Sequence, residues 1–139
     1  MSLDIFLHCF RNGEPATFAR SLFNDVFGVT EDTEEEPGFL DVRYPDGSAA
    51  EIYVDEGDIQ NIMFNHCGGA TFWEKLFELA RVTESVIFWP EDDNSAVVAN
   101  PAAVKHLPAD FSEGKDIQLV HSASELEARI FAGEALDED

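Results

Sequence analysis

The order of apolar and polar residues predicts a strand and a helix in the first part of the chain. Residues 3–10 are almost continuously apolar, which is typical of a buried strand inside a sheet. Pro15 suits the first position of a helix, and apolar residues then recur at helical spacing up to Gly28, so a first amphipathic helix is predicted there. The acid-rich residues 31–36 predict a solvated loop and neither helix nor strand.

Alternating residues after this loop predict an antiparallel meander. The predicted strands are residues 39–44, 50–54 and 59–65, joined by a turn composition at 45–48 and an acidic turn at 55–58. Gly68-Gly69 then interrupts the pattern. Thr71 and Glu74 fit a capping box at the start of a second helix, which we expect to end near Thr83.

The last part of the chain predicts short elements and a terminal helix. Strands are predicted at 86–89, 96–99 and 117–120, with an acidic turn at 91–94 and a short helix at Pro101–His106. Ser122 or Ser124 is expected to cap a helix that Gly133 ends. The acidic residues 134–139 are expected to fray in solvent.

These elements together predict the α+β class. We expect a mainly antiparallel sheet of about five to seven strands packed against two or three helices. A chain of 139 residues, 45% of them hydrophobic, is the size of one domain with a core of its own. We therefore predict a single α+β domain over residues 1–133, followed by an acidic tail over 134–139.

Composition changes this picture because the chain is strongly acidic. It has 8 Lys and Arg against 29 Asp and Glu, a formal net charge of -21. Phosphate backbones and anionic lipid surfaces would be repelled, since recognition of both begins with Lys and Arg. We therefore predict a basic protein as the partner, and neither nucleic acid nor membrane.

Cysteine usage and the first residues of the chain favour a cytoplasmic location. Cys9 and Cys67 are far apart in sequence and do not form the disulfide framework of a small secreted protein. Residues 1–10 lack the basic start of a signal peptide, and no apolar run approaches the roughly 20 residues of a membrane span.

The sequence shows no catalytic, metal or nucleotide motif, so we predict no enzyme, no metal site and no cofactor. The candidates for an enzyme are Cys67 and the adjacent His66, which precede a helix start where the helix dipole lowers a thiol pKa. The surrounding negative charge works against that thiolate.

The dipeptides His8-Cys9 and His66-Cys67 offer zinc ligands, but neighbours on a strand point to opposite faces, so each dipeptide can give only one ligand to a given site. A small Cys/His-dependent enzyme and a metal-binding module remain the alternatives, and the oligomeric state is left open.

Two tracts of the sequence carry a family resemblance. The first is residues 3–7 together with residues 10–14, Phe-Arg-Asn-Gly-Glu, and the second is residues 85–90, Ser-Val-Ile-Phe-Trp-Pro. With the small acidic one-domain format, they make the chain resemble bacterial proteins found among the immunity proteins of polymorphic toxin systems. The resemblance implies a protein that binds and blocks a toxin. It does not identify any binding or catalytic residue in this chain.

Position along the chain nominates a binding surface. No Lys or Arg lies between Arg43 and Lys75. We therefore predict an acidic protein-binding module, an immunity or inhibitor protein that neutralises a basic toxin or nuclease through the hairpin in this span. Its predicted partner-binding residues are Tyr44, Asp46, Glu51, Tyr53, Asp55, Glu56 and Asp58. The competing interpretation is an acidic surface that serves only solubility.

Overall fold

A computed structural model of the chain describes residues 4–29, 34–36, 38–90 and 92–137. Its strands are β1 (Ile5–Arg11), β2 (Glu14–Pro15), β3 (Glu34–Glu36), β4 (Phe39–Arg43), β5 (Ala49–Val54), β6 (Asn61–Gly68), β7 (Ser85–Trp89), β8 (Asp92–Val98) and β9 (Asp116–Leu119). Its helices are α1 (Arg20–Phe27), α2 (Ala70–Thr83), a 3-10 helix (Pro101–His106), α3 (Ala109–Gly114) and α4 (Ala123–Asp137).

β1 lies inside the sheet, as its apolar sequence predicts. It pairs antiparallel with β6 on one side and with β7 on the other. The strand order is β3-β4-β5-β6-β1-β7-β8-β9, and β2 pairs with β1 outside this order. The pairing of β8 with β9 is parallel and the other described pairings are antiparallel. The α+β class with a mainly antiparallel sheet is confirmed, with more strands and helices than the sequence indicated.

One face of the sheet carries the main hydrophobic core. Alternate residues of β1, Ile5 and Leu7, are fully buried there, and Ile62 and Phe64 of β6 continue the layer. Helices α1, α2 and α4 pack on this face and contribute Phe23, Phe27, Phe72, Trp73, Leu76, Leu126 and Ile130. Burying one such side chain stabilises the fold by roughly 1.5–3 kcal/mol, so this layer is the main source of stability.

The opposite face is covered over only part of its width. A second cluster joins Phe10, Val86 and Val98 of the sheet to Ala103 and Leu107, which belong to the 3-10 helix and the residue after it. Phe111 of α3 packs against the same cluster. The contacts of these two short helices run mainly to β1, β8 and β9. They leave β4, β5 and β6 without a comparable layer among the described residues.

Several local predictions in the first third of the chain are wrong. Pro15 belongs to β2 and does not open a helix, because Asn12 and Gly13 both adopt positive φ angles and turn the chain back onto β1. Phe18 lies outside α1 and bridges to Ile59. Residues 34–36, predicted as loop, form strand β3 beside β4. Residues 30–33 and 37 lie outside the described residues, so the rest of that predicted loop is not described.

The later predictions need fewer corrections. Residues 92–94 belong to β8 and not to a turn, while residue 91 lies outside the described residues. α3 was not predicted at all. Ser122 caps α4 as expected, since its Oγ accepts a hydrogen bond from the N–H of Glu125 at 3.1 Å. Gly133 does not end α4, which continues to Asp137 into the predicted tail; residues 138 and 139 lie outside the described residues.

The predicted capping box at α2 is also wrong, because the cap comes from a different part of the chain. Gly69 is the N-cap residue and makes no side-chain cap bond. The N–H of Thr71 instead donates to Ser48 Oγ at 3.0 Å and to Asp46 Oδ2 at 3.3 Å, and the Thr71 hydroxyl donates to the same carboxylate at 2.8 Å. The N–H of Ser48 also donates to Asp46 Oδ1 at 2.9 Å. This bond contributes most, with further hydrogen bonds from the side chains of Ser48 and Thr71, to lowering the pKa of Asp46 to about 2. The β4–β5 turn therefore caps α2.

This contact predicts that Gly69 tolerates no side chain. A Cβ at Gly69 would lie 2.6 Å from the Cα of Ser48, and the φ of +98° is itself unfavourable for other residues. We expect Gly69→Ala to lower the free energy of unfolding by more than about 2 kcal/mol in urea titrations. Gly68→Ala is the matched control, because a Cβ there meets nothing within 4 Å. Equal effects of the two substitutions would contradict the close packing of the turn on α2.

Candidate protein-binding site

The uncovered part of the second sheet face is the main functional candidate that we describe. On β4, β5, residues 5–8 of β1 and residues 61–65 of β6, the side chains that point toward the helices are buried, whereas their neighbours on the other side are half-buried or exposed. We call this surface the open face. Its side chains include Asp4, Phe6, His8, Phe39, Asp41, Glu51, Tyr53, Met63 and Asn65.

Strand register brings the apolar side chains of the open face into one line. Phe39 lies opposite Tyr53, Tyr53 opposite Met63, and Met63 opposite Phe6. Phe6 in turn lies opposite Phe88 of β7. Ring centroids are 5.1 Å apart for Phe39 and Tyr53, and 5.5 Å apart for the stacked Phe6 and Phe88. We call these five residues the apolar row; Tyr53, at 43% exposure, is its most accessible described member.

A line of carboxylates runs beside the apolar row. Asp41 lies opposite Glu51, each two residues along its strand from an aromatic residue of the row. Asp4, the residue before β1, continues the line, and its Oδ1 accepts a hydrogen bond from the side-chain amide of Asn65. Two residues of a strand span roughly 6.6 Å, so these carboxylates border the apolar row directly. We call Asp4, Asp41 and Glu51 the carboxylate line.

Cations in contact with this line are few and exposed. Arg43 Nη2 lies 3.3 Å from Asp41 Oδ2, and His66 Nδ1 lies 2.7 Å from Glu51 Oε1. The side chains of Arg43 and His66 are 78% and 62% exposed. Exposed pairs of this kind are worth about 0–1 kcal/mol, so a partner's cations can replace them at little cost.

The far end of the apolar row is closed by α3. Phe111 packs edge-on against Phe88 with ring centroids 5.6 Å apart, and the Lys115 ammonium lies 5.7 Å from the Phe88 ring. His8 also contacts Phe88, at 4.9 Å between ring centroids. Burial lowers the pKa of His8 below its ordinary value, so this ring is neutral at neutral pH and adds no charge to the row.

The structure distributes the predicted partner-binding residues over three places. Glu51 and Tyr53 lie on the open face. Asp55, Glu56 and Asp58 are exposed in the turn between β5 and β6. Tyr44 and Asp46 lie at the opposite end of β5, and its six residues separate the two ends by about 20 Å. The predicted hairpin surface is therefore not one continuous patch.

Two of these residues have roles inside the fold. The Tyr44 hydroxyl donates to the carbonyl oxygen of Phe27 at 2.8 Å, and the ring packs against the main core. Burial raises the pKa of Tyr44 to about 12. Asp46 is exposed, but its carboxylate caps α2. We therefore leave Tyr44 and Asp46 out of the surface proposed below.

Sequence reasoning missed most of the open face. It did not select Phe6, because residues 3–10 are predicted to be largely buried, and it did not select Phe39 or Met63, because the alternation around them predicts strands without showing which face stays uncovered. The available signal was the alternation within each strand, where every second residue of residues 39–44 and 50–54 is apolar on the helix side. The register between strands aligns the side chains of the open face with one another, and this register cannot be obtained from alternation alone.

The structure does not assemble the chemistry of the enzyme alternative. Burial raises the pKa of Cys67 to about 12 and keeps the thiol protonated at neutral pH. Cys67 packs against the main core, whereas His66 pairs with Glu51 of the open face. The α2 N-terminus beside them, whose dipole was expected to act on the Cys67 thiol, is already occupied by Asp46. Among the described residues, no group of three or more His, Cys, Asp and Glu is placed to hold a metal ion.

Two further features serve the fold or suit a basic partner less well. Arg11 Nη1 donates to Glu84 Oε2 at 2.8 Å and lies 3.3 Å from His106 Nε2, which ties β1 to the 3-10 helix.

A groove of about 300 Å³ between β9 and α4 is lined by Gln118, Leu119, Val120, Glu125, Ala128 and Arg129. Because the groove includes the cation of Arg129, it would repel a basic group more than the open face does.

Comparison with known proteins adds no relative. No protein-family model, no curated protein and no solved structure matches the chain. None of the described helices combines the length and apolarity that a membrane span requires.

The buried thiols give a test of the enzyme alternative. In a Cys9→Ala variant, which leaves Cys67 as the one thiol of the sequence, we expect iodoacetamide at pH 8 to react at least about tenfold more slowly than with a free cysteine, because the thiolate is the reactive species. The rate is followed by intact-protein mass spectrometry, and the urea-unfolded variant is the control. A folded-state rate above that of the unfolded variant would restore Cys67 as a nucleophile.

Proposed function

We propose that this protein is an acidic protein-binding module that binds and blocks a basic partner, as an immunity or inhibitor protein does. The observation that carries the proposal is the apolar row bordered by the carboxylate line on an uncovered sheet face. An apolar surface with a charged border is the arrangement expected of a specific protein interface.

The two lines of side chains would have separate energetic roles. Aromatic residues such as Phe39 and Tyr53 supply large apolar area at a low cost in side-chain entropy, which favours a long-lived complex. The carboxylates Asp41 and Glu51, with the net charge of -21, attract a cationic surface over long range and accelerate encounter. The same charge disfavours nucleic acid and anionic membranes as partners.

The aromatic composition of the open face also bears on the solubility interpretation. A surface shaped only for solubility would place charged residues where Phe6, Phe39, Tyr53 and Met63 stand. The resemblance to immunity proteins supports a toxin as the basic partner, and the bacterial cytoplasm is the compartment that we propose for the complex.

Site-specific crosslinking in cells tests whether the open face meets a partner. With the photoreactive residue benzoyl-phenylalanine at position 53, we expect a crosslink to a basic protein, because Tyr53 is the most exposed described residue of the apolar row. Position 82 is the control: Val82 is 38% exposed but lies on α2, on the other side of the sheet. Equal crosslinking from both positions, or acidic proteins alone at position 53, would refute the proposal.

Binding kinetics with the crosslinked partner separate the role of the apolar row from the role of the carboxylates. We expect Tyr53→Ala to raise the dissociation rate by at least about fivefold, since it removes apolar contact area. We expect the double variant Asp41→Asn/Glu51→Gln to lower mainly the association rate, and to weaken its dependence on salt. Glu74→Gln on α2 is the control for loss of charge. A partner whose association rate does not change between low and high ionic strength would refute the electrostatic role.

A further inference from the structure

We infer that the element bound by the open face is a basic amphipathic α-helix of the partner, lying along the apolar row. This inference rests on the proposed function and concerns the geometry of the same surface. Four members of the apolar row, one each on β4, β5, β6 and β1, lie outside the part that α3 covers at Phe88. With neighbouring strands about 4.8 Å apart, these four residues form a line about 14 Å long.

The spacing of the row distinguishes a helix from an extended segment. A helix presents one side chain of its apolar stripe per turn, about every 5.4 Å along its axis. Over the three intervals between the four uncovered residues this amounts to about 16 Å, which exceeds their line by less than half an interval. An extended chain presents same-side residues about every 6.8 Å, or about 20 Å over three intervals, and loses register after the second strand. The helix is therefore the better fit, with about 10 residues along the uncovered part of the row.

The carboxylates beside the apolar row indicate which residues should flank the apolar stripe of this helix. Asp41 and Glu51 border the row on one side. Asp55, Glu56 and Asp58 are exposed in the β5–β6 turn, at the end of β5 that lies beyond Tyr53. A helix on the row would therefore have acids on both sides near β4 and β5. Lysine and arginine at the positions next to its apolar stripe would meet them.

The way in which helices cover the two faces of the sheet also supports a helix as the bound element. The first face is covered by α1, α2 and α4, and in the described part of the chain the second face has short helices over its β1, β8 and β9 part. A sheet face of half-buried apolar residues is normally completed by a layer of helices. One helix from a partner would extend the layer that the 3-10 helix and α3 begin.

The probes are two synthetic peptides of equal composition, about 13 residues of leucine, lysine and alanine. One has leucine at helical spacing and the other has leucine in strict alternation. Affinity for the whole protein is measured by calorimetry, and the site by backbone amide chemical shifts. We expect the helical peptide to bind at least about tenfold more tightly, to shift the amides of Phe39, Tyr53 and Met63, and to lose at least about fivefold in affinity with Tyr53→Ala but not with Val82→Ala.

The outcomes separate this inference from the proposed function. If both peptides bind the open face with equal affinity, the helix is refuted and the surface stands. If the alternating peptide binds more tightly there, the partner element is extended and the helix is likewise refuted. If the shifts of both peptides map to the β9–α4 groove or spread over the whole surface, the open face itself is refuted. Tyr53→Asn, which keeps a polar residue at this exposed position, replaces Tyr53→Ala if the amide spectrum shows that the latter perturbs the fold.

Discussion

The pairing of β1 with β6 and β7 is the constraint on which the rest of the structure depends. Its register sends Ile5, Leu7 and Cys9 toward the helices, and Phe6 and His8 toward the opposite face. A slip of one residue would exchange the two sets and expose the most buried positions of the strand. The main core therefore fixes the open face as well, because the same register that buries Leu7 aligns Phe6 between Met63 and Phe88.

The acids of this protein divide into structural and surface groups, and their density in sequence does not separate them. Asp46 lies in the span without Lys or Arg, yet its carboxylate neutralises the N-terminus of α2. A helix N-terminus carries about half a positive charge, so an internal carboxylate is a natural ligand for it. Glu51 lies in the same span and faces outward beside Tyr53. Only the fold distinguishes the two, because it places the turn of the hairpin against α2 and its strands on the open face.

The sequence predicted the structure correctly where the residues of a single strand, turn or helix decide it. The buried strand β1, the β4–β5–β6 meander and the end of α2 at Thr83 could all be predicted from local periodicity and turn residues. The predictions failed where contacts between distant residues decided the structure. The cap of α2 comes from Ser48 and Asp46, and Glu34–Glu36 becomes a strand because β4 offers an edge. The apolar row is such a long-range feature too, since five strands contribute one residue each.

The excess of acid has opposite consequences for the free protein and for its complex. Acids outnumber Lys and Arg by 21, so repulsion among carboxylates opposes the compact state of the free chain. Added salt screens this repulsion and also screens the attraction to a basic partner. A basic helix on the open face would relieve repulsion around Asp41, Glu51 and the β5–β6 turn at the point where it also buries Tyr53 and Met63. Binding of such a helix would therefore also stabilise the fold, because the same side chains would take part in both effects.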